Sequence, residues 1–349
     1  MINNEYDKIN IPKNIDMNIE SGVKRALLEK AKLNKKKKIK SIGVVVASLI
    51  AVLTLGISNP VLAAKIPLLG NVFKAIEKTI HNPGNYSKFA TSINETVYSN
   101  GISVTLSEAL CDGQSLYVTY IVKSEESFKT EKGKDLKDTT QLGVLGKYNK
   151  VDFSKEKLDN SGVSGIEGKF VNENTFVGVE KFNLSYLKAE VPNNFEFHTK
   201  IDLIENYALD SENPERCKFG SWKFKIPVTV NKGLRRVIDL TGKDVESKVA
   251  KINSISLTPF EMRLDVDYKV GNWNDYRLFI FDENGEMLQS YSKVENKNNI
   301  DTEKTVVEVP NSESKSIRIV LAKDFEGKSS EFYTKSNKNI VFDKTVSIK

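Results

Sequence analysis

Apolar and polar positions alternate with different periods along the chain, and the first regular pattern lies near the N-terminus. Apolar residues recur every four positions at Ile15, Ile19, Val23, Leu27 and Ala31, with charged residues between them. This spacing predicts an amphipathic helix of roughly 18 residues. Because an isolated helix of that length is marginal in water, it needs a surface to lie on. Three environments remain open: solvent, with the lysines setting only topology, the groove of a partner protein, or the inner membrane surface.

A run of sixteen uncharged residues, 42–57, follows this predicted tail helix. As a helix the run rises about 24 Å, and continuing it to Ala64 gives about 34 Å, which exceeds a hydrocarbon core of about 30 Å. The lysines directly before the run are Lys35, Lys36, Lys37, Lys38 and Lys40. Because cationic flanks stay in the cytoplasm, we expect one transmembrane helix over 41–64, with residues 1–40 inside the cell and the C-terminal part outside.

Two other interpretations of the apolar segment remain open. Val61-Leu62-Ala63 resembles the small-residue site before a signal-peptidase cut. Against cleavage, the segment is preceded by about 40 residues, whereas a whole signal peptide has about 15–30. A buried core helix would leave the lysine run difficult to place. We therefore expect a retained anchor and a protein of the cell membrane.

The residues after the predicted anchor favour a second, shorter helix. Within 65–84, apolar residues follow a helical spacing at Ile66, Leu69, Val72, Phe73, Ile76 and Ile80. Asn82-Pro83-Gly84 then supplies a turn that ends a helix. We expect this juxtamembrane helix to connect the anchor to the next domain through its apolar face.

Beyond residue 85 the pattern changes to the alternation typical of β-strands. Two alternating runs within 102–122 flank Asp112-Gly113, and together they predict a hairpin. The charged stretch 124–150 has little pattern and is interpreted as a surface loop or insertion. Further strands are predicted over 195–203 and 222–230, and we assign 85–235 to a first exported β domain.

Residues 236–349 predict a second exported β domain. One pair of strands flanks Thr258-Pro259-Phe260, and a hairpin is predicted over 276–292 with its tip at 282–285. About seven short strands with turn signals every 8–12 residues are typical of an immunoglobulin-like sandwich. The predicted fold class is mainly β: two exported β-sandwich-like domains, the C-terminal one immunoglobulin-like, behind one transmembrane helix and a short cytosolic helical tail.

The formal charge of +6 is concentrated in the predicted tail. Residues 1–40 contain eleven Lys or Arg and five Asp or Glu, whereas the remaining residues contain 41 of each sign. A nucleic-acid-binding domain is expected to carry a basic excess on its folded part. The sequence therefore predicts no nucleic-acid partner.

The sequence offers little chemistry for catalysis or metal binding. Its two histidines, His81 and His198, lack the spacing of a zinc site, and the chain has no P-loop or dinucleotide fingerprint. We therefore predict no catalytic, metal or cofactor-binding residues, and a protein that is not an enzyme. Cys111 and Cys217 leave two possibilities open: one disulfide, worth about 4–5 kcal/mol in the chain-entropy model, or two buried thiols.

The order of these segments resembles a known family. "IPKNIDMNIESGVKRAL", the lysine run and one membrane helix precede "NPVLAAKIPLLGNVFKAIE" and "NGISVTLSEALCDGQSLYVTYIV". That order is similar to single-pass membrane proteins of Gram-positive bacteria that are regarded as anti-sigma factors or negative effectors of extracytoplasmic-function sigma factors. "SISLTPFEMRLDVDYKV" and "DENGEMLQ" are similar to the immunoglobulin-like domain that closes such proteins. Residues 1–40 carry no zinc-binding His/Cys cluster, so sigma binding would have to use the tail helix.

Two functional hypotheses follow from the pattern and the resemblance. In the first, the stripe of Ile15, Ile19, Val23 and Leu27 holds a sigma factor at the membrane, and the exported domains sense an envelope ligand or protein. Proteolysis near the anchor or a conformational change would release the tail. In the second, the chain is a membrane-tethered module that binds a wall polymer or an exported protein without cytosolic signalling.

Overall fold

The computed structural model describes residues 71–80, 84–145, 148–158, 165–270, 272–297, 299–307, 309, 314–324 and 339–349. Leu68–Lys349 form one compact unit, and its described part is mainly β, as predicted. Among the described residues, no helix has the length and apolar content to span a membrane. The predicted anchor over 41–64 lies outside the described residues and stays a prediction. The predicted domain boundaries also stay predictions.

Nine antiparallel strands among the described residues form the first sheet. They are β1 (Thr91–Ser99), β2 (Ile102–Cys111), β3 (Ser115–Ser124), β4 (Gln141–Leu145), β5 (Tyr148–Val151), β6 (Ile166–Asn172), β7 (Thr175–Asn183), β8 (Asn194–Asn206) and β9 (Cys217–Thr229). Their order is β1-β2-β3-β7-β6-β4-β8-β5, with β9 paired to the free side of β8. The sheet curls, so that the Trp222 indole of β9 donates a hydrogen bond to the Ile102 carbonyl oxygen of β2 at 3.0 Å.

The predicted hairpin over 102–122 is confirmed. β2 pairs with β3 in antiparallel register, and the chain reverses at Asp112-Gly113. Gly113 has φ +85°, a left-handed conformation that glycine adopts without a steric penalty. The Asp112 carboxylate accepts hydrogen bonds from the backbone N–H groups of Gln114 and Ser115, each at 2.8 Å, and so fixes the turn.

The interpretation of 124–150 as a surface loop is wrong over its last third. β4 and the start of β5 lie there, and both pair with β8. Leu142 and Val144 of β4 point into the core and are buried. Because these strands have only five and four residues, their alternation is too short to stand out from the charged residues around them.

Eight more strands among the described residues form two further sheets. They are β10 (Arg236–Val237), β11 (Ala250–Leu257), β12 (Met262–Tyr268), β13 (Tyr276–Phe281), β14 (Ser290–Lys297), β15 (Ile300–Val307), β16 (Ser316–Lys323) and β17 (Ile340–Ser347). One sheet has the order β10-β11-β12-β15-β14 and the other β13-β16-β17. Buried side chains of both sheets, such as Leu264 and Ile319, share one core, as in a β-sandwich.

The predicted hairpin over 276–292 is confirmed only around its tip, where Phe281 bridges Met287 and the Leu288 N–H donates to the Ile280 carbonyl oxygen at 2.8 Å. The turn is present, since the N–H of Gly285 donates to the Asp282 carbonyl oxygen at 3.1 Å. However, β13 pairs with β16 and β14 pairs with β15, so the chain crosses from one sheet to the other after this turn. Periodicity predicts strands but not their partners, and both strands here pair with strands that come later in the chain.

Helical structure is sparse in the described residues. One short α-helix, α1, spans Val72–Ile76, and four single 3₁₀ turns lie at Tyr86–Lys88, Leu136–Asp138, Lys232–Leu234 and Trp273–Asp275. The predicted juxtamembrane helix over 65–84 is therefore α-helical only over Val72–Ile76 within the described stretch 71–80. The Thr79 hydroxyl donates to the Ile76 carbonyl oxygen at 3.0 Å, a side-chain contact that competes with a continuing helix.

Candidate functional site

The helix α1 lies on the outer face of the first sheet. Val72, Phe73 and Ile76 are fully buried, and they contact apolar side chains of β2, β3 and β7. Those strands carry their main core on the opposite face, so they are buried on both sides. A five-residue helix is far too short to be stable alone. Its conformation therefore depends on this packing.

Two charged side chains of the sheet hold the ends of α1. The Glu108 carboxylate of β2 accepts a hydrogen bond from the Phe73 N–H at 2.9 Å. The Lys169 ammonium of β6 donates to the Ala75 carbonyl oxygen at 2.8 Å. An acid at the N-terminal end and a base at the C-terminal end match the unpaired backbone groups of a helix. Burial raises the pKa of Glu108, although the N–H groups of Phe73 and Val72 act in the opposite direction.

Three stacked rings connect α1 to the second β region. The Tyr86 ring lies between Phe73 and Phe260, with centroid distances of 5.5 Å and 4.4 Å and interplanar angles of 7° and 16°. Tyr117 of β3 meets the edges of Tyr86 and Phe260. Each such ring pair contributes about 0.5–1.5 kcal/mol beyond the burial of its area. Phe260 belongs to the turn between β11 and β12, so one residue of the second region completes a cluster built by the first.

The neighbouring Glu261 carboxylate is buried, with 1% of its side chain exposed. It forms an ion pair with Lys181 of β7, and Arg263 of β12 lies 3.9 Å away. The Ser115 hydroxyl donates to it at 2.9 Å. Burial alone would raise the pKa of Glu261, but the charges of Lys181 and Arg263 more than offset that effect and lower it. The pair therefore crosses from the first β region to the second in its ionised form.

Asp112 is a second buried carboxyl group at the same place, and it behaves differently. Burial and the negative charge of Glu261 raise its pKa from 3.8 to about 6. Its neighbour Gln114 accepts a hydrogen bond from the Ser256 hydroxyl of β11, which adds a further link between the two regions. Two nearby carboxyl groups thus titrate in separate pH ranges.

We call this set the junction: α1, Tyr86, the facing residues of β2, β3, β6 and β7, and the turn Thr258–Glu261. Its groups are held by packing, ion pairs and hydrogen bonds, and they connect α1 to both β regions. The sequence did not indicate it, because Phe260 lies in a predicted turn and Lys181 and Glu261 have the charges of solvent-exposed residues. An aromatic residue at a hairpin tip was the available signal.

The residues predicted from sequence to bind a partner or set topology all lie outside the described residues. They are Ile15, Ile19, Val23 and Leu27 in the tail, and Lys35, Lys36, Lys37, Lys38 and Lys40 before the anchor. Their roles stay predictions. Both cysteines are described and are free thiols. The backbone N–H of Asn231, just after β9, donates a hydrogen bond to the Cys111 carbonyl oxygen. Cys217 lies at the other end of this 13-residue strand, so about 40 Å of extended chain separates Cys217 from the position of Cys111.

Cys111 is also poorly suited to thiol chemistry. Burial raises its pKa from 9.0 to about 12, which keeps the group protonated and unreactive at neutral pH. The second possibility from the sequence analysis, unpaired thiols, is therefore confirmed for both residues, although Cys217 is only partly buried.

This chain resembles solved structures and, over part of its length, a domain of unknown function. A crystal structure of a conserved domain protein from Bacillus anthracis is 19% identical over 81% of this chain and 100% of that chain, with a TM-score of 0.49. A marsupial T cell receptor is 10% identical over 74% of this chain and 97% of that chain, with a TM-score of 0.20. No curated protein matches. Residues 34–124, which include α1 and β1 to β3, match a domain of unknown function, DUF4179.

Proposed function

We propose that this chain is a single-pass membrane regulator, specifically an anti-sigma factor or negative effector of an extracytoplasmic-function sigma factor. The junction is the observation that supports this proposal. In sequence, α1 follows closely after the segment predicted to be the anchor, and residues of both β regions hold it. A ligand-induced change in either region would therefore alter the packing of the element nearest the predicted membrane helix.

The cytosolic part of the mechanism relies on the tail helix. Ile15, Ile19, Val23 and Leu27 would bind the sigma factor as an apolar stripe in a groove of that protein. Release would follow when the exported region rearranges at the junction, either directly or by exposing the chain near the anchor to a protease. We also propose that β10 to β17 form an immunoglobulin-like domain, which their two antiparallel sheets and shared core support.

The experiment that tests this proposal uses the tagged full-length protein in its native cells. Ile19→Asp with Leu27→Asp places two charges on the stripe, and it should abolish co-purification of the sigma factor. Asn14→Asp with Ser21→Asp is the matched control, because it adds the same charge on the opposite face of the predicted helix. Equal recovery of the sigma factor with both variants, or none with the wild type, would contradict the proposal.

A second candidate is a membrane-tethered binding module without cytosolic signalling. It is favoured by a lysine-rich face on β5, β8 and β9, where cross-strand neighbours carry like charges. Under this alternative, removal of residues 1–40 would leave ligand binding and the transcript profile of the cell unchanged. We call the co-purification of a sigma factor with the wild type and the stripe variants the tail experiment. Because only the first candidate predicts this co-purification, the tail experiment distinguishes the two candidates.

A further inference from the structure

One solvent-facing side of the first sheet carries a concentration of positive charge that the balanced composition conceals. Residues directly opposite each other in an antiparallel pair share a face. In β5, β8 and β9 this places Lys150, His198 and Lys225 in one row, and Tyr148, Lys200 and Lys223 in the next. Lys157 lies beside them, with its ammonium 5.3 Å from the centroid of the Tyr148 ring. We call these residues the lysine face.

Acidic residues neutralise only part of the lysine face. Glu196 pairs with Lys225 at 2.9 Å, and Asp202 pairs with Lys200 at 2.6 Å. Asp152 is engaged with the Glu196 backbone N–H at 3.1 Å. Within the described residues, Lys150, Lys157 and Lys223 form no ion pair. Since Lys200 stands directly opposite Lys223, the fold places like charges together at a cost to its own stability.

We propose that the lysine face binds a linear, phosphate-bearing polymer. Lysines at alternate positions of a strand lie about 6.6 Å apart, and adjacent strands about 4.8 Å apart, so the ammonium groups form a two-dimensional track. The face carries no arginine among its described residues. Arginine is favoured for bidentate binding of carboxylate and phosphate groups alike, whereas lysine binds phosphate as a point charge that needs no fixed geometry.

Other occupants fit this surface less well. The only large apolar side chain among the named residues is Tyr148, and Lys157 lies over its ring. Exposed Leu145 and Phe219 adjoin this face, each opposite Leu203 of β8. The lysine rows themselves contain no such apolar row, so they lack the hydrophobic core of a typical protein interface and the apolar anchors of a membrane-bound surface. A polyanion that exchanges its counterions for lysines requires neither a hydrophobic interface core nor apolar membrane anchors.

The test measures binding of purified full-length protein to inorganic polyphosphate over a range of salt concentrations. Lys150→Gln, Lys157→Gln and Lys223→Gln together remove the three lysines of the face without an ion pair, and should weaken binding roughly 10- to 100-fold. The slope of log affinity against log salt should fall by roughly two, since each phosphate contact on a single strand contributes about 0.7. The matched control removes the same charge from exposed lysines of the second region: Lys251→Gln, Lys315→Gln and Lys323→Gln. It should bind like the wild type.

Three results would overturn the proposal. The first is equal binding by the face variant and the control variant, with thermal unfolding confirming that both are folded. The second is equal or tighter binding of poly-glutamate than of polyphosphate, which would indicate an acidic peptide. The third is binding to phosphatidylglycerol vesicles but not to polyphosphate. This inference relies on the exported location proposed above and not on the cytosolic partner, so it and the tail experiment can fail separately.

Discussion

Asp112 and Glu261 lie in the same buried region, and their surroundings separate their titration. Glu261 has Lys181 and Arg263 as cationic neighbours, which lower its pKa. Burial and the negative charge of Glu261 disfavour the ionised form of Asp112 and raise its pKa to about 6. A group with a lowered folded pKa stabilises the protein above its ordinary pKa, whereas one with a raised folded pKa stabilises it at low pH.

The first prediction at this scale concerns pH. Unfolded Asp112 loses its proton near pH 3.8 and folded Asp112 near pH 6. The free energy of unfolding should therefore fall as pH rises from about 4 to 6, by up to about 3 kcal/mol. Asp112→Asn keeps the carbonyl oxygen that accepts from Gln114 and Ser115 but cannot ionise, so it should lack this fall.

Urea unfolding at a series of pH values measures the effect as the difference between the wild type and Asp112→Asn. Groups that do not interact with Asp112 cancel in this difference. The stabilising contribution of ionised Glu261 is lost as pH falls below about 4.5, because its pKa in the folded protein is lowered from that value. Parallel stability curves for the two proteins between pH 4 and 6 would show that Asp112 does not titrate as described.

At the scale of elements, α1 is stable only through its partners. Its polar ends rely on Glu108 and Lys169, and its apolar face relies on rings contributed by both β regions. Phe260→Ala should therefore loosen α1 as well as its own turn. We expect faster hydrogen exchange at the backbone N–H groups of Ala75 and Glu77, whose bonds hold the helix.

A matched control separates this local effect from a general loss of stability. Phe342→Ala removes a ring that is as buried as that of Phe260 but lies in the core of the second region. Both substitutions should destabilise the protein by about 3–5 kcal/mol. Only Phe260→Ala should accelerate hydrogen exchange in α1 by more than the shared loss of global stability explains. Equal acceleration in both variants would contradict the dependence of α1 on Phe260.

Elements formed by local patterns were predictable from the sequence, and elements defined by distant partners were not. The hairpin of β2 and β3 needs only alternation and Asp112-Gly113, so it was found. β13 is a clear apolar run, but its partner β16 lies some 40 residues later, and no local pattern specifies it. Lys181 and Glu261 were missed for the same reason, since a buried ion pair across two regions appears in sequence as two ordinary charges.

At the scale of the whole molecule, the chain after residue 40 has no net formal charge but separates its charges in space. The lysine face collects cations on one side of the first sheet, while the junction keeps an ion pair and a second carboxyl group away from water. Composition averages over both features. The lysine face is visible only from the register of β5, β8 and β9. The buried charged groups of the junction are visible only from the packing of the turn Thr258–Glu261 on β3 and β7.

We propose that the described β region acts on the predicted cytosolic tail through the junction. The most direct test compares transcript profiles of cells that carry full-length Phe260→Ala or Phe342→Ala at equal protein levels. The reference is the set of transcripts that change when residues 1–40 are deleted. We expect Phe260→Ala to change that set and Phe342→Ala to leave it unchanged. No response to Phe260→Ala, or the same response to both substitutions, would contradict the claim.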